Sequence, residues 1–330
     1  MKVLVTGGKG FIGSWVVKDL LGKDQSPVIY DLARKPFPFP ELRRSVEVID
    51  GDITNSEQTL SILRPVKADV LIHTAALTNV EKAQFQVADA IRVNIEGTLH
   101  LLEAARTLGI RRFVYTSSRG VFGHIDDEHG HPNYRPVAED YRCKPYTIYG
   151  STKFFCERLG LNFARMYGLE FCSLRFSMIY GPGKSLTHGS GAFHSVMIEE
   201  SLAGHPVTIS QGAEQKDDLI YVGDVSRAIV LAALAPRVSS PLYHIGTGVA
   251  STPVDFAQAV KTFLPQAQIQ IGPGLDYLMR GYLNYCIFDI SRARADLGYE
   301  PRYDLAKGIR NYIDHGDSID SEEKKNEAER

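Results

Sequence analysis

Thr6-Gly7-Gly8-Lys9-Gly10-Phe11-Ile12-Gly13 follows a compact apolar run, Lys2–Thr6, and opens Phe11–Leu21, where Ile12, Trp15, Val16 and Leu20 recur at helical spacing. Two glycine patterns overlap in it. Gly8, Gly10 and Gly13 fit G-x-G-x-x-G, and Gly7, Gly10 and Gly13 fit G-x-x-G-x-x-G. Such a turn needs glycine because the backbone must reverse tightly and approach a pyrophosphate with no Cβ in the way. The free amides that open the helix then face the phosphates. A glycine pattern alone is weak evidence, but the strand–turn–helix context makes this one a dinucleotide-binding signature. Gly7, Gly10, Phe11, Ile12 and Gly13 are the expected contacts of the loop.

The next strand supplies a second sign. It ends in Tyr30-Asp31, and Asp31 lies 18 residues beyond Gly13. A dinucleotide fold puts an acid there, where it accepts hydrogen bonds from the adenosine ribose and repels a 2′-phosphate. NAD is therefore expected over NADP. Arg34 and Lys35 follow closely and would receive a 2′-phosphate only if Asp31 turned away.

Outward from the loop, short β-branched runs alternate with longer amphipathic ones. Strands are expected at 27–30, 46–49, 68–73, 112–116 and Glu170–Phe176, and helices at 54–63, 89–108 and Ile148–Tyr167. That alternation predicts an α/β fold, a Rossmann-type doubly wound parallel sheet with right-handed crossovers. After Tyr180 the texture changes. Gly181-Pro182-Gly183 and 187–191 read as loops, and proline and glycine recur to Pro301. The predicted organisation is an NAD-binding domain over 1–175 and a smaller C-terminal substrate-binding domain over 176–315. Residues 219–248 return to the first domain, and 316–330 form a polar tail.

Composition narrows the function. Of 330 residues, 44% are apolar and 23% charged, and 37 basic against 39 acidic residues give a net charge of -2. That balance excludes a nucleic-acid binder working by bulk charge. No apolar run approaches the ~20 residues of a membrane span, and the N-terminus lacks the apolar core of a secretory signal. A cytoplasmic protein is expected. Cys143, Cys156, Cys172 and Cys286 form no C-x-x-C pair, so reduced thiols and no metal site are expected.

Tyr149-Gly150-Ser151-Thr152-Lys153 is a Y-x-x-x-K on a predicted helix, and positions i and i+4 share a face. A phenol titrates near pH 10 in isolation, and a neighbouring cation should lower that value. The pair would then exchange a proton with an alcohol. The fifth strand ends in Thr116-Ser117-Ser118, at the edge where such sheets bind ligands.

With these features the chain resembles the extended short-chain dehydrogenase/reductase family, the NAD-dependent epimerase/dehydratase group, over about residues 1–315. Its motifs stand as the glycine loop, Gly51-Asp52-Ile53, His73-Thr74-Ala75-Ala76, Val93-Asn94-Ile95-Glu96-Gly97-Thr98, Thr116-Ser117-Ser118 and Tyr149…Lys153. Leu174-Arg175-Phe176…Tyr180-Gly181-Pro182-Gly183 and Tyr221-Val222-Gly223-Asp224-Val225 complete the set. The resemblance implies Tyr149 as general acid/base, Lys153 on the nicotinamide ribose, and Ser118 polarising the substrate, with Ser117 the weaker candidate. It implies Asp52 and Ile53 at the adenine, Ala75 and Ala76 at the phosphate and ribose, and Asn94 ordering the helix that carries the catalytic pair and counted among the cofactor-binding residues. It also implies a homodimer through the helices at 89–108 and Ile148–Tyr167.

The departures concern substrate. Met178 stands where nucleotide-sugar members commonly carry an Asn, and Asp217-Asp218 where they carry Arg-Asp. A carboxylate facing a diphosphate is repulsive. Arg119-Gly120 replaces the Asp-Glu of sugar dehydratases. Arg119 follows Ser118 and would grip a substrate carboxylate or phosphate, unless it pairs with a loop acid such as Asp126 or Glu128. His124, His129, His131, His188 and His194 are expected in loops. Together these features predict an NAD-dependent oxidoreductase acting on a secondary alcohol of a small polar, sugar-derived or acidic substrate, with Ser118, Arg119, Tyr149 and Met178 contacting it. The alternative is a sugar or nucleotide-sugar epimerase using the same site with NAD kept bound.

Overall fold

The computed structural model describes residues 1–33 and 39–315, so Arg34, Lys35 and the tail at 316–330 lie outside the described residues. Seven strands form one sheet: β1 (Lys2–Thr6), β2 (Ser26–Asp31), β3 (Glu47–Asp50), β4 (Val70–His73), β5 (Arg112–Ser118), β6 (Glu170–Phe176) and β10 (Leu242–Ile245). Their order is β10-β6-β5-β4-β1-β2-β3. Every neighbouring pair runs parallel. The order reverses between β1 and β4, which opens a crevice at the C-terminal strand ends.

Because side chains alternate along a strand, each face of the sheet builds its own core. Val3, Val5, Ile29, Val70 and Ile72 join one apolar cluster with α1 (Phe11–Leu21) and α8 (Val222–Leu234). Leu4, Val28, Tyr30, Leu71 and Phe113 join the other, with α2 (Ser56–Leu63), α5 (Gly97–Leu108) and α6 (Ile148–Tyr167).

The helix expected over 89–108 is more complex. It follows α3 (Val80–Phe85), begins as α4 (Val87–Ala90), widens into a π-helical segment at Ile91–Glu96, and continues as α5. Apolar residues keep the same rhythm through the π segment, so sequence periodicity does not reveal it. Asn94 lies inside it.

From β6 the chain passes through Ser177 into β7 (Met178–Tyr180), which pairs with β9 (Asp217–Tyr221); β11 (Ala250–Ser251) completes that small sheet. A two-stranded sheet of β8 (Val207–Ile209) and β12 (Ile269–Ile271), with α7 (Phe193–Leu202), α9 (Pro253–Phe263) and α10 (Ser291–Leu297), belongs to the second lobe, and residues 305–315 are helical. His194 begins α7 and is buried, rather than lying in a loop. α8 and β10 cross back to the large sheet. Fully buried Arg112 fastens that return. It donates to the carbonyls of Ala232, Ala233 and Ala235 at the end of α8, at 2.7, 3.0 and 2.7 Å, and pairs with Glu170 through Nε and Nη2. A cation there also complements the helix dipole.

Candidate active site

The glycine loop sits at the crevice. Gly7 has φ +71°, and a Cβ there would lie 2.6 Å from the amide nitrogen of Ala75. A Cβ on Gly13 would lie 2.2 Å from the Gly7 carbonyl oxygen. Loop, helix and the segment after β4 thus meet backbone to backbone. No side chain caps the start of α1 after Gly10, so its first amides are left for an anion. These features fit a dinucleotide diphosphate.

Asp31 ends β2 and is 7% exposed. Its carboxylate accepts from the amides of Lys9 at 2.9 Å and Leu32 at 2.8 Å, which hold it beside the loop. Lys9, which sequence reasoning passed over, pairs with Asp50 at 2.9 Å. Asp52 is exposed beyond β3, and Ile53 is buried against the helices. Ala75 and Ala76 are half-buried past β4. Asn94 is buried between the loop after β4 and the catalytic helix. Its amide oxygen accepts from the Leu77 amide at 2.7 Å, and its nitrogen donates to Leu77 O at 3.2 Å and Thr152 Oγ1 at 3.1 Å. With both amide protons engaged, Asn94 ties the post-β4 loop to α6.

Ser118, Tyr149 and Lys153 converge. Thr147 caps α6 by accepting from the Gly150 amide at 3.1 Å. Ser118 ends β5, accepts from the Gly120 amide at 3.0 Å, and shares the cleft wall with Tyr149. Lys153, 3% exposed, donates to the Thr116 carbonyl at 2.8 Å. Its ammonium lies 5.8 Å from the Tyr149 ring centre. The expected lowering of Tyr149 is corrected. Burial pushes the phenol up to about 12, opposed by the neighbouring Ser118 hydroxyl. Burial likewise pushes Lys153 down to about 8. Desolvation outweighs the attraction because the ammonium is held on a carbonyl rather than against the phenol.

Glu157, missed in the sequence, and His73, quoted there only within a motif, brace this set. Glu157, one turn after Lys153, accepts from Ser117 Oγ at 2.6 Å and pairs with Arg175 at 2.7 Å, all buried. Their sequence signal is only the i+4 step from Lys153 on the inward face. His73 is held between Thr6 at 2.7 Å and Thr98 at 3.0 Å, and burial pushes it down to about 3, so it is neutral.

Ser118, Tyr149 and Lys153 line one cleft, with Ile12, Thr74, Met178, Lys184, His188, Arg280 and Tyr282 among its other walls. Met178 is buried on the wall formed by β7. Lys184, Arg280 and Tyr282 had no distinguishing sequence pattern beyond the Gly-Pro-Gly before Lys184, whereas His188 was expected in a loop flanking the cleft.

Arg119 requires correction. It borders the cleft, but its guanidinium pairs with buried Asp217 and donates to the Asn284 carbonyl at 3.0 Å. Asp217 also accepts from Tyr277 at 2.7 Å. The positive charge is therefore cancelled inside the protein, not held out for a substrate acid, and Asp217 does not face a diphosphate unpaired. The loop acids serve other arginines: Asp126 and Asp127 pair with Arg142, and Glu128 with Arg135. Of the five histidines, His188 alone borders the cleft. Among the described residues no His, Cys, Asp and Glu cluster is arranged to hold a metal, and all four cysteines are free thiols. No described helix is long and apolar enough to cross a membrane.

A glycine-loop crevice with a Ser-Tyr-Lys set at its mouth defines a dinucleotide-dependent oxidoreductase of the extended short-chain type. A model of the NAD dependent epimerase/dehydratase family matches residues 3–246, and the chain belongs to that family. It is 30% identical to a putative UDP-glucose 4-epimerase of Methanocaldococcus jannaschii, over 94% of this chain and 97% of that one. It is also 30% identical to a 3-beta-hydroxysteroid dehydrogenase of Mycolicibacterium neoaurum, over 92% of this chain and 87% of the relative. The crystal structure of the UDP-glucose 4-epimerase of Thermus thermophilus, a complex with NAD, superposes with a TM-score of 0.81 at 28% identity, covering 96% and 99% of the two chains. The protein is an NAD-dependent enzyme of the extended short-chain dehydrogenase/reductase type.

Removing Arg119 should register first as lost stability. Arg119→Ala strands Asp217 as a buried, unpaired carboxylate, a loss of about 3–5 kcal/mol. Denaturant unfolding should show that loss, and Asp217→Ala added to Arg119→Ala should return part of it.

Proposed function

We propose that the chain oxidises a secondary alcohol of a small polar substrate, with Tyr149 as general base, Ser118 holding the reacting oxygen, and Lys153 ordering the nicotinamide ribose. The convergence of Ser118, Tyr149 and Lys153 on one cleft, with Lys153 fixed on the Thr116 carbonyl, carries this reading. The residues that would hold NAD are the Gly7, Gly10 and Gly13 loop with the amides of Phe11 and Ile12, Asp31 at the adenosine ribose, Asp52 and Ile53 at the adenine, and Ala75 and Ala76. When bound, NAD supplies the hydride acceptor. Tyr149 takes the hydroxyl proton, and the neighbouring Ser118 hydroxyl opposes the rise that burial imposes. Met178 and the β7 wall border the substrate.

The epimerase reading is favoured by relatives that are 4-epimerases along their whole length. Pairing of Asp217 with Arg119 also removes the charge repulsion that counted against a nucleotide sugar. Absorbance at 340 nm separates the two readings. Net NADH accumulation marks a dehydrogenase, and product without accumulated NADH marks an epimerase.

We also infer a homodimer. Val87, Ile91 and Leu99 along the first helical run, and Phe155, Met166 and Tyr167 on α6, are exposed apolar side chains. Pairing them about a two-fold axis would give an isologous contact. Free thiols support a reducing, cytoplasmic setting.

Three outcomes check these readings. Tyr149→Phe keeps the ring and removes the proton carrier, so turnover should fall ~10²–10⁴-fold with NAD binding retained. Calorimetry should give NAD at least about tenfold tighter binding than NADP, narrowing in Asp31→Ser. Light scattering at micromolar concentration should return twice the chain mass.

A further inference from the structure

Three cations besides Lys153 and the histidine ring border the cleft: Arg119, Lys184 and Arg280. Two are already matched. Arg119 pairs with Asp217, and Arg280 with Glu81 at 3.2 Å, reinforced by Ser190. Lys184 has no carboxylate within ion-pair distance among the described residues, yet it is only 4% exposed. Its ammonium donates to the Ile179 carbonyl and lies 3.8 Å from Met178 Sδ.

Those contacts fix where the charge stands. Ser118 is in register with Phe176 of β6. Met178 and Ile179 follow Phe176 by two and three residues, on β7. The Lys184 ammonium is therefore held beyond the strand ends, on the wall next to the serine proposed to hold the substrate oxygen. A buried ammonium without a counter-charge is costly. Burial and the charges of Arg119 and Arg280 push it down to about 7, opposed by Asp217. An anion arriving with the substrate would relieve that cost. One unmatched positive charge suits one negative charge, so a carboxylate fits better than a phosphate dianion.

We propose that Lys184 is the substrate-anion contact, binding a carboxylate a few bonds from the carbinol held by Ser118 and Tyr149. The proposal rests on the Ser118-Tyr149-Lys153 reading and names the substrate class for it: a polyhydroxy or sugar acid. It also moves to Lys184 the role that the sequence pattern had offered to Arg119.

The test uses the full chain with NAD, reading NADH at 340 nm. The probes are aldonic and uronic acids, each paired with its neutral carboxamide, and the corresponding phosphorylated sugars. The expected ratio of kcat/KM, acid over carboxamide, is about 10–150, the range of a hydrogen bond to a charged group. In Lys184→Met that ratio should collapse toward 1, chiefly through KM, and Lys184→Arg should restore part of it. The proposal is overturned if carboxamides match their acids, if phosphorylated sugars outrun the acids, or if Lys184→Met keeps the wild-type ratio. Neutral alcohols oxidised by the wild type and not by Tyr149→Phe would then leave the catalytic reading standing without Lys184. No NADH and no product from any probe would count against both.

Discussion

The site depends on a contact between stretches of bare backbone. Gly7, in the left-handed region, lies against the amide of Ala75, and Gly13 lies against the carbonyl of Gly7. β1 and β4 are neighbours at the place where strand order reverses, so their following loops separate to either side. Packing the first helix hard against these loops keeps the crevice narrow and presents helix amides to it. Asp31 at the end of β2 and Ser118 at the end of β5 then stand on opposite sides of one cleft.

Charge is matched almost everywhere beneath that cleft. Glu157 pairs with Arg175, Glu170 with Arg112, and Asp217 with Arg119. Breaking such buried pairs is expensive, so they fix the scaffold rather than serve ligands. Lys153 and Lys184 differ. Each is held on a backbone carbonyl, and each is pushed down by burial, to about 8 and about 7. One stands at the proposed cofactor side and the other at the proposed substrate side.

The fold was legible because its signals are local. A strand, a glycine turn and an amphipathic helix occupy the first 21 residues, and Ile148–Tyr167 and Glu170–Phe176 carry their periodicity without interruption. The π segment at Ile91–Glu96 was hidden because the apolar rhythm is unchanged. The i+4 step brought Tyr149 and Lys153 together on paper as in the structure. Long-range partners were beyond such reasoning. Arg119 meets Asp217 across 98 residues and Arg280 meets Glu81 across 199. Only the folded chain shows which charges remain unmatched, and so Arg119 was assigned a task that its partner forbids.

The most direct measurement is a calorimetric titration of NAD into the wild type and into Gly13→Ala, with thermal unfolding of both as the check on folding. The added methyl would meet the Gly7 carbonyl and force the loop off the Ala75 backbone. The account predicts a folded variant whose NAD affinity falls at least about tenfold, or ~1.4 kcal/mol. A folded Gly13→Ala protein that binds NAD as tightly as the wild type would contradict it.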